Sequence, residues 1–285
     1  MAANLGTGCS DDEAATTQPD GTAVGPGSGG AGGATSTGVG GVPPPPTEEA
    51  ECQGHVYQCG DLIDNDGDML MDYQDPDCLG ACDNTEDSYY GGIPGQAGPA
   101  CDVDCYFDPN SGSGNDDCYW NHKCDDHEVD PDYYPEPWNG NACAHDENTN
   151  IGGTGLTCAD LAAEQSQDCM DYCGPLTPNG CDCFGCCELP AGSGNLVWLG
   201  SGEESDQKCD IAHVNDPTVC HPCEQVPACV NGCAVCELCI GKTTLPPECD
   251  DPECPEGAQP CGLPGSDPCP SGEYCVTGCC QVLPT

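Results

Sequence analysis

The sequence predicts a small disulfide-rich fold of mostly irregular loops, with short strands and one or two short helices, behind a disordered N-terminal tether. One observation behind this is a shortage of core formers. Leu, Ile, Val and Phe supply only 35 of 285 residues, where a share below about 20% with a large net charge ordinarily means disorder. A second is the presence of 31 cysteines, a density at which covalent bridges replace the missing oily core. The third is charge: 50 Asp and Glu stand against three lysines and no arginine, for a formal net charge of -47.

These properties also bound function. Disulfides persist in oxidising surroundings, so the chain is expected to be secreted, periplasmic or exposed at the outer cell surface. A polyanion repels nucleic acid, which excludes DNA and RNA as partners. The same carboxylates keep the chain soluble and can collect divalent cations.

Residues 1–50 are read as the tether. From Gly6 to Thr47 the chain is built of small residues and ends in four prolines, Pro43 to Pro46; such a segment has no apolar surface to bury. Leu5-Gly6-Thr7-Gly8-Cys9, followed by Ser10-Asp11, resembles the end of a bacterial lipoprotein signal. That resemblance implies a lipid on Cys9 as the sole membrane attachment, with the rest of the export signal expected upstream of Met1. Removing Cys9 leaves 30 cysteines, an even number that can pair completely.

Three cysteine-rich regions are expected after the tether. Residues 51–150 carry nine cysteines among Asp, Tyr and Pro without helical periodicity, an acidic module of loops and short strands. Residues 151–215 contain the clearest helix signal, "TCADLAAEQSQDCMDYCGP": Thr157 caps, Asp160 stands three residues on, and Gly174-Pro175 stops it. Cys158, Leu161, Cys169 and Cys173 fall near one face, which implies a helix stapled to its neighbours. In residues 216–285 the cysteines crowd into short loops, and the final stretch, Cys261 to Cys280, resembles small extracellular cysteine-rich modules of the C-P-x-G-x-x-C type. That resemblance implies a fold style and no activity.

Several motifs suggest chemistry. Cys220-His221-Pro222-Cys223 has the spacing of a thioredoxin-like redox site, although the βαβ setting of that chemistry is missing. Cys233, Cys236 and Cys239 have the spacing of an iron-sulfur or zinc-thiolate site, but the fourth position is Thr243. His122, Cys124, Asp126 and His127 form a local set able to ligate zinc or copper. No nucleophile-and-base set is identifiable, and the chain is expected not to be an enzyme.

The strongest motif is "CGDLIDNDGDMLMDYQDPDC", residues 59–78. An EF-hand-type calcium loop places oxygen ligands at positions 1, 3, 5, 7, 9 and 12, the seventh through a backbone carbonyl. Counting from Asp64 gives Asp64, Asp66, Asp68, the Leu70 carbonyl, Asp72 and Asp75. Asp75 breaks the two-residue alternation and still falls in register. The stretch resembles the aspartate-rich metal-binding repeats of bacterial surface proteins and, more distantly, thrombospondin type 3 calcium repeats. It departs from the loop pattern at position six, where Met69 replaces glycine and Gly67 sits at position four. A bridge from Cys59 to Cys78 would close this loop. Weaker echoes of the pattern are Asp108, Asn110 and Asp116, and Asp146, Asn148 and Asn150.

The sequence reading is therefore a non-enzymatic, disulfide-stapled surface protein, anchored at Cys9, with calcium as cofactor and an extracellular protein or glycan as partner. A periplasmic carrier of zinc or copper through Cys and His is the alternative, and a redox protein using Cys220 and Cys223 the second.

Overall fold

The computed structural model describes residues 45–52, 54–89, 101–108, 116–127, 143–149, 151, 154–201, 208–242, 244–249, 251–255, 257–263 and 265–282. Residues 1–44 of the tether, Cys9 among them, and Asn110 and Asn150 lie outside the described residues. Gly40–Thr285 forms one compact unit. Among the described residues regular structure is sparse: three two-stranded antiparallel ribbons, two short α-helices and several single 3-10 turns.

Among the described residues, 28 cysteines form fourteen bridges. This bridge density is that of an extracellular-type protein. No helix among the described residues is long and apolar enough to cross a membrane. The bridges partition the chain elsewhere than at residues 150 and 215. Cys52–Cys82 and Cys59–Cys78 form an N-terminal set. A central web runs from Cys101 to Cys223 and crosses position 150 three times, through Cys105–Cys173, Cys118–Cys169 and Cys124–Cys158. Cys186–Cys223 and Cys209–Cys220 then cross position 215. Five further bridges are confined to residues 233–280.

The expected helix is two. Thr157 and Asp160 form a reciprocal capping box that starts α1, Cys158–Ala163. Glu164 is then extended, at φ -144 and ψ 120. Ser166 starts α2, Gln167–Leu176, by accepting from the Cys169 N–H at 3.0 Å. The break has a tertiary cause. Gln165 bonds both backbone groups of Tyr119, at 2.8 and 3.1 Å, and Ser166 Oγ donates to the Asp117 carbonyl at 2.7 Å. A continuous helix would forfeit these bonds. Gly174-Pro175 does not stop α2 at once: the helix runs on to Leu176 and ends at Thr177, within two residues of the proline whose missing N–H and ring disfavour its continuation. Cys158, Leu161, Cys169 and Cys173 are all buried, as the face pattern implies.

What core exists is aromatic and sulfur-rich. β1, Asp102–Val103, pairs with β2, Trp120–Asn121, and β3, Cys186–Glu188, with β4, Leu196–Trp198. Trp120 stacks on Phe184 at 6.0 Å, and Trp198 meets Tyr106 and His122 edge-on. Gly185, at φ +82, lies under the Tyr106 ring, where a Cβ would come within 2.8 Å of it, so no other residue fits there without displacing the ring. Buried Asp182 accepts from the N–H groups of Phe184, Cys186 and Val226 at 2.8 to 2.9 Å, joining its own turn to the Val226 segment where apolar side chains are too few.

The last ribbon pairs β5, Glu273–Val276, with β6, Cys279–Val282. Its turn residues, Thr277 and Gly278, are both left-handed, at φ 43 and 84, as a two-residue primed turn requires. The C-P-x-G-x-x-C motif enters this ribbon. Tyr274 donates its hydroxyl to the Cys59 carbonyl and packs edge-on against Tyr73, which seats the ribbon against the acidic loop.

Complete pairing of the 30 cysteines after Cys9 is not what the structure contains: Cys183 and Cys229 are buried thiols. They are neighbours, with the Cys183 N–H 3.3 Å from the Cys229 sulfur. The Cys183 side chain and then burial push the Cys229 thiol well above its ordinary pKa, which keeps it protonated and unreactive. Apart from Cys9, native protein should therefore show no thiol to an aqueous reagent, and unfolding without reductant should expose two more, Cys183 and Cys229. Intact mass should rise on reduction by about 28 hydrogens, two per bridge; a rise of about 30 would mean that Cys183 and Cys229 pair.

Candidate metal centre

The acidic loop is built by side chains folding back on their own backbone. Asp64 accepts from the N–H groups of Gly67 and Met69 at 2.6 and 3.1 Å, Asp66 from Asp68 at 3.0 Å, and Asp68 from Leu70 at 2.7 Å. Each bond tightens the curl. The result places a carboxylate oxygen of Asp64, Asp66 and Asp68 within 4.8 Å of one another, open to solvent. The curl needs left-handed backbone at Gly67, φ 88, and at Met69, φ 80. Position six thus has the geometry that glycine usually serves, and Met69 adopts it with its side chain 88% exposed, at a strain of about 1 to 2 kcal/mol. Cys59–Cys78 joins the two ends of the loop.

The remaining sequence-derived ligands divide. Asp75 is buried on the return limb; Oδ1 accepts from the Asp77 N–H at 2.8 Å, and Oδ2 is buried with no hydrogen-bond partner. Burial, then the charges of Asp77, Asp68 and Asp66, push Asp75 up to about 7. Asp77, absent from the sequence-derived set, is also buried; it accepts from the Ile211 N–H at 2.8 Å. Burial, then Asp210, Asp66 and Asp68, push it up to about 7. Asp72 belongs to a different group. Its Oδ2 accepts from the Leu62 N–H at 3.3 Å, and after burial the main charge acting on it is Glu86, which helps to push it up to about 6.

Glu86, also missed by sequence reasoning, is fully buried and receives the N–H groups of Asn65 and Asp72, both at 2.6 Å. It anchors the two limbs from outside the loop. The only sequence signal for Asp77 is its place two residues after Asp75; Glu86 carries none.

The sulfur-based candidates resolve differently. Cys220 is bridged to Cys209 and Cys223 to Cys186, so the C-x-x-C pair is not a redox couple. Its members face different loops of the web. Cys233 is bridged to Cys239, and Cys236 to Cys249, which removes the thiolates that an iron or zinc site requires. His122, Cys124, Asp126 and His127 do not converge. Cys124 is bridged to Cys158, His127 and Asp126 are exposed, and His122 is buried against Trp198, with burial lowering its pKa to about 3. Of the weaker echoes, Asp146 accepts from the Asn148 N–H in an exposed turn, whereas Asp108 and Asp116 are buried.

Comparison with protein-family models, curated proteins and solved structures finds no match to this chain.

Proposed function

We propose that this protein is a non-enzymatic extracellular scaffold whose acidic loop is closed by calcium. In this reading Asp64, Asp66 and Asp68 form one wall of the ion site, with the Leu70 carbonyl, and Asp75 and Asp77 face them from the return limb. The observation that carries it is the buried, unpartnered Oδ2 of Asp75, a carboxyl on which the charges of Asp68 and Asp66 act, together with the convergence of Asp64, Asp66 and Asp68. A buried carboxylate oxygen without a donor is costly unless a cation takes the donor's place. The donor set is all oxygen, and a flexible cage of this kind suits calcium better than the strict octahedron of magnesium. Asp72 acts here as a buried support of the loop rather than as a ligand.

The wider role follows from the build. A small bridged core with an ion-closed loop resists proteolysis and presents its irregular loops to an extracellular protein or glycan. A lipid on Cys9 would hold it at the outer surface through the tether.

Calorimetric titration at physiological ionic strength, in excess magnesium to suppress diffuse attraction, tests the site. The unmutated protein should bind calcium with a dissociation constant on the order of 0.1 to 1 mM. Asp64→Asn with Asp68→Asn should weaken this loop's binding at least about tenfold, or roughly 1.4 kcal/mol. Identical isotherms would overturn the reading.

A further inference from the structure

A second group of carboxyls is held together at the loop end of the β1–β2 ribbon. The register pairs Val103 with Trp120, so Asp104, one step beyond β1, faces the limb that carries Asp116 to Tyr119. Both limbs are pinned to α2, by Cys105–Cys173 next to Asp104 and by Cys118–Cys169 two residues from Asp116. Hydrogen bonds from Ser166 to Asp117 and between Gln165 and Tyr119 add to the clamp. The limbs are thus covalently prevented from drawing apart.

Within this clamp Asp116 is fully buried, its carboxyl set against that of Asp104 and the backbone N–H of Asp117, and neither of its oxygens makes a well-formed hydrogen bond. A carboxylate oxygen of Asp104 lies within 4.8 Å of it. Asp108, 1% exposed, adds a third negative charge that acts on Asp104. The Cys118 sulfur is inside the same radius, but its disulfide leaves it no thiolate to offer. An ion that takes oxygen ligands at about 2.3 to 2.6 Å can bridge two oxygens separated by up to about 5 Å.

We propose that Asp104 and Asp116, supported by Asp108, bind a second divalent cation of the calcium class, at a site independent of the Asp64–Asp77 loop. The ion fills the place of the donors that Asp116 lacks, and because the clamp is preformed it needs little rearrangement to enter. Its effect is to lock the loop end of the ribbon to α2.

The test uses the full chain with Asp64→Asn and Asp68→Asn, so that the first loop is disabled. This variant should still bind calcium saturably in excess magnesium. With terbium as the probe, it should show emission excited through Tyr119, on which the charges of Asp104 and Asp116 act. Adding Asp104→Asn and Asp116→Asn should reduce both signals at least about tenfold. Asp104→Asn alone, at the half-buried member of the pair, gives the same comparison if the Asp116 change prevents folding. The proposal is overturned if the Asp64/Asp68 variant binds neither ion saturably, or if the added changes leave binding unaltered. If the unmutated protein and the Asp64/Asp68 variant bind calcium alike, the loop reading fails and this one stands.

Discussion

Stripped of divalent cations, the protein is expected to melt at a higher temperature at pH 5 than at pH 8, by about 10 °C. The cause is a set of buried carboxyls whose folded-state pKa lies above the unfolded value of 3.8. Asp75, Asp77 and Asp116 are raised to about 7 and Asp72 to about 6, burial being the first cause in each case. Between about pH 4 and pH 7 the folded state therefore holds more protons than the unfolded chain. Stability must fall as pH rises through that window. The contribution is complete below the unfolded pKa and lost above the folded one. Each group taken alone corresponds to roughly 3 to 4 kcal/mol, but the groups share surroundings and relax together. A net loss of roughly 3 to 5 kcal/mol gives the expected shift.

Calcium should reverse this trend. An ion that replaces the proton removes the cost of ionising these groups, so calcium at about 10 mM should raise the melting temperature at pH 8 and have little effect at pH 5. Thermal melts in chelator and in calcium, at the two pH values, make the comparison. A cation-free melting temperature that is flat or rises with pH would show that these carboxyls are not strained by burial.

The other large effect concerns the bridges. Replacing Cys105 and Cys173 together by alanine should destabilise the fold by about 4 kcal/mol, because this bridge closes the longest segment of the web, 68 residues in sequence. The same change at Cys233 and Cys239, which lie six residues apart, should cost about 2 kcal/mol. Denaturant titration under non-reducing conditions measures both. Equal losses would mean that strain or local packing, rather than restriction of the unfolded chain, sets the value of these bridges. The double replacements leave no new thiol to exchange with Cys183, whose sulfur lies 3.9 Å from that of Cys169.

How much of this was legible beforehand depended on the distance in sequence over which each feature is decided. The curl of Asp64, Asp66 and Asp68 was readable because every bond that forms it spans five residues or fewer. The Cys59–Cys78 bridge was readable for a similar reason: its two cysteines bound the loop that they close. The Thr157 cap was readable, but the break at Glu164 was not, since it answers to Tyr119 and Asp117 some 46 to 49 residues away. Local spacing misled at Cys220 and Cys223, where neighbours in sequence take partners in different loops.

Composition by itself determined that this chain must be held by disulfides, because too few apolar residues are present to offset its conformational entropy and charge. It also determined that carboxylates would crowd wherever the chain turned. Which cysteines pair, which carboxyls are driven inside without donors, and that Asp77, Glu86 and the Asp104–Asp116 pair matter at all were decided only by the tertiary structure. Burial and proximity across long sequence separations set these outcomes. In a chain whose loops follow no repeating period, neither property leaves a mark in the order of its residues.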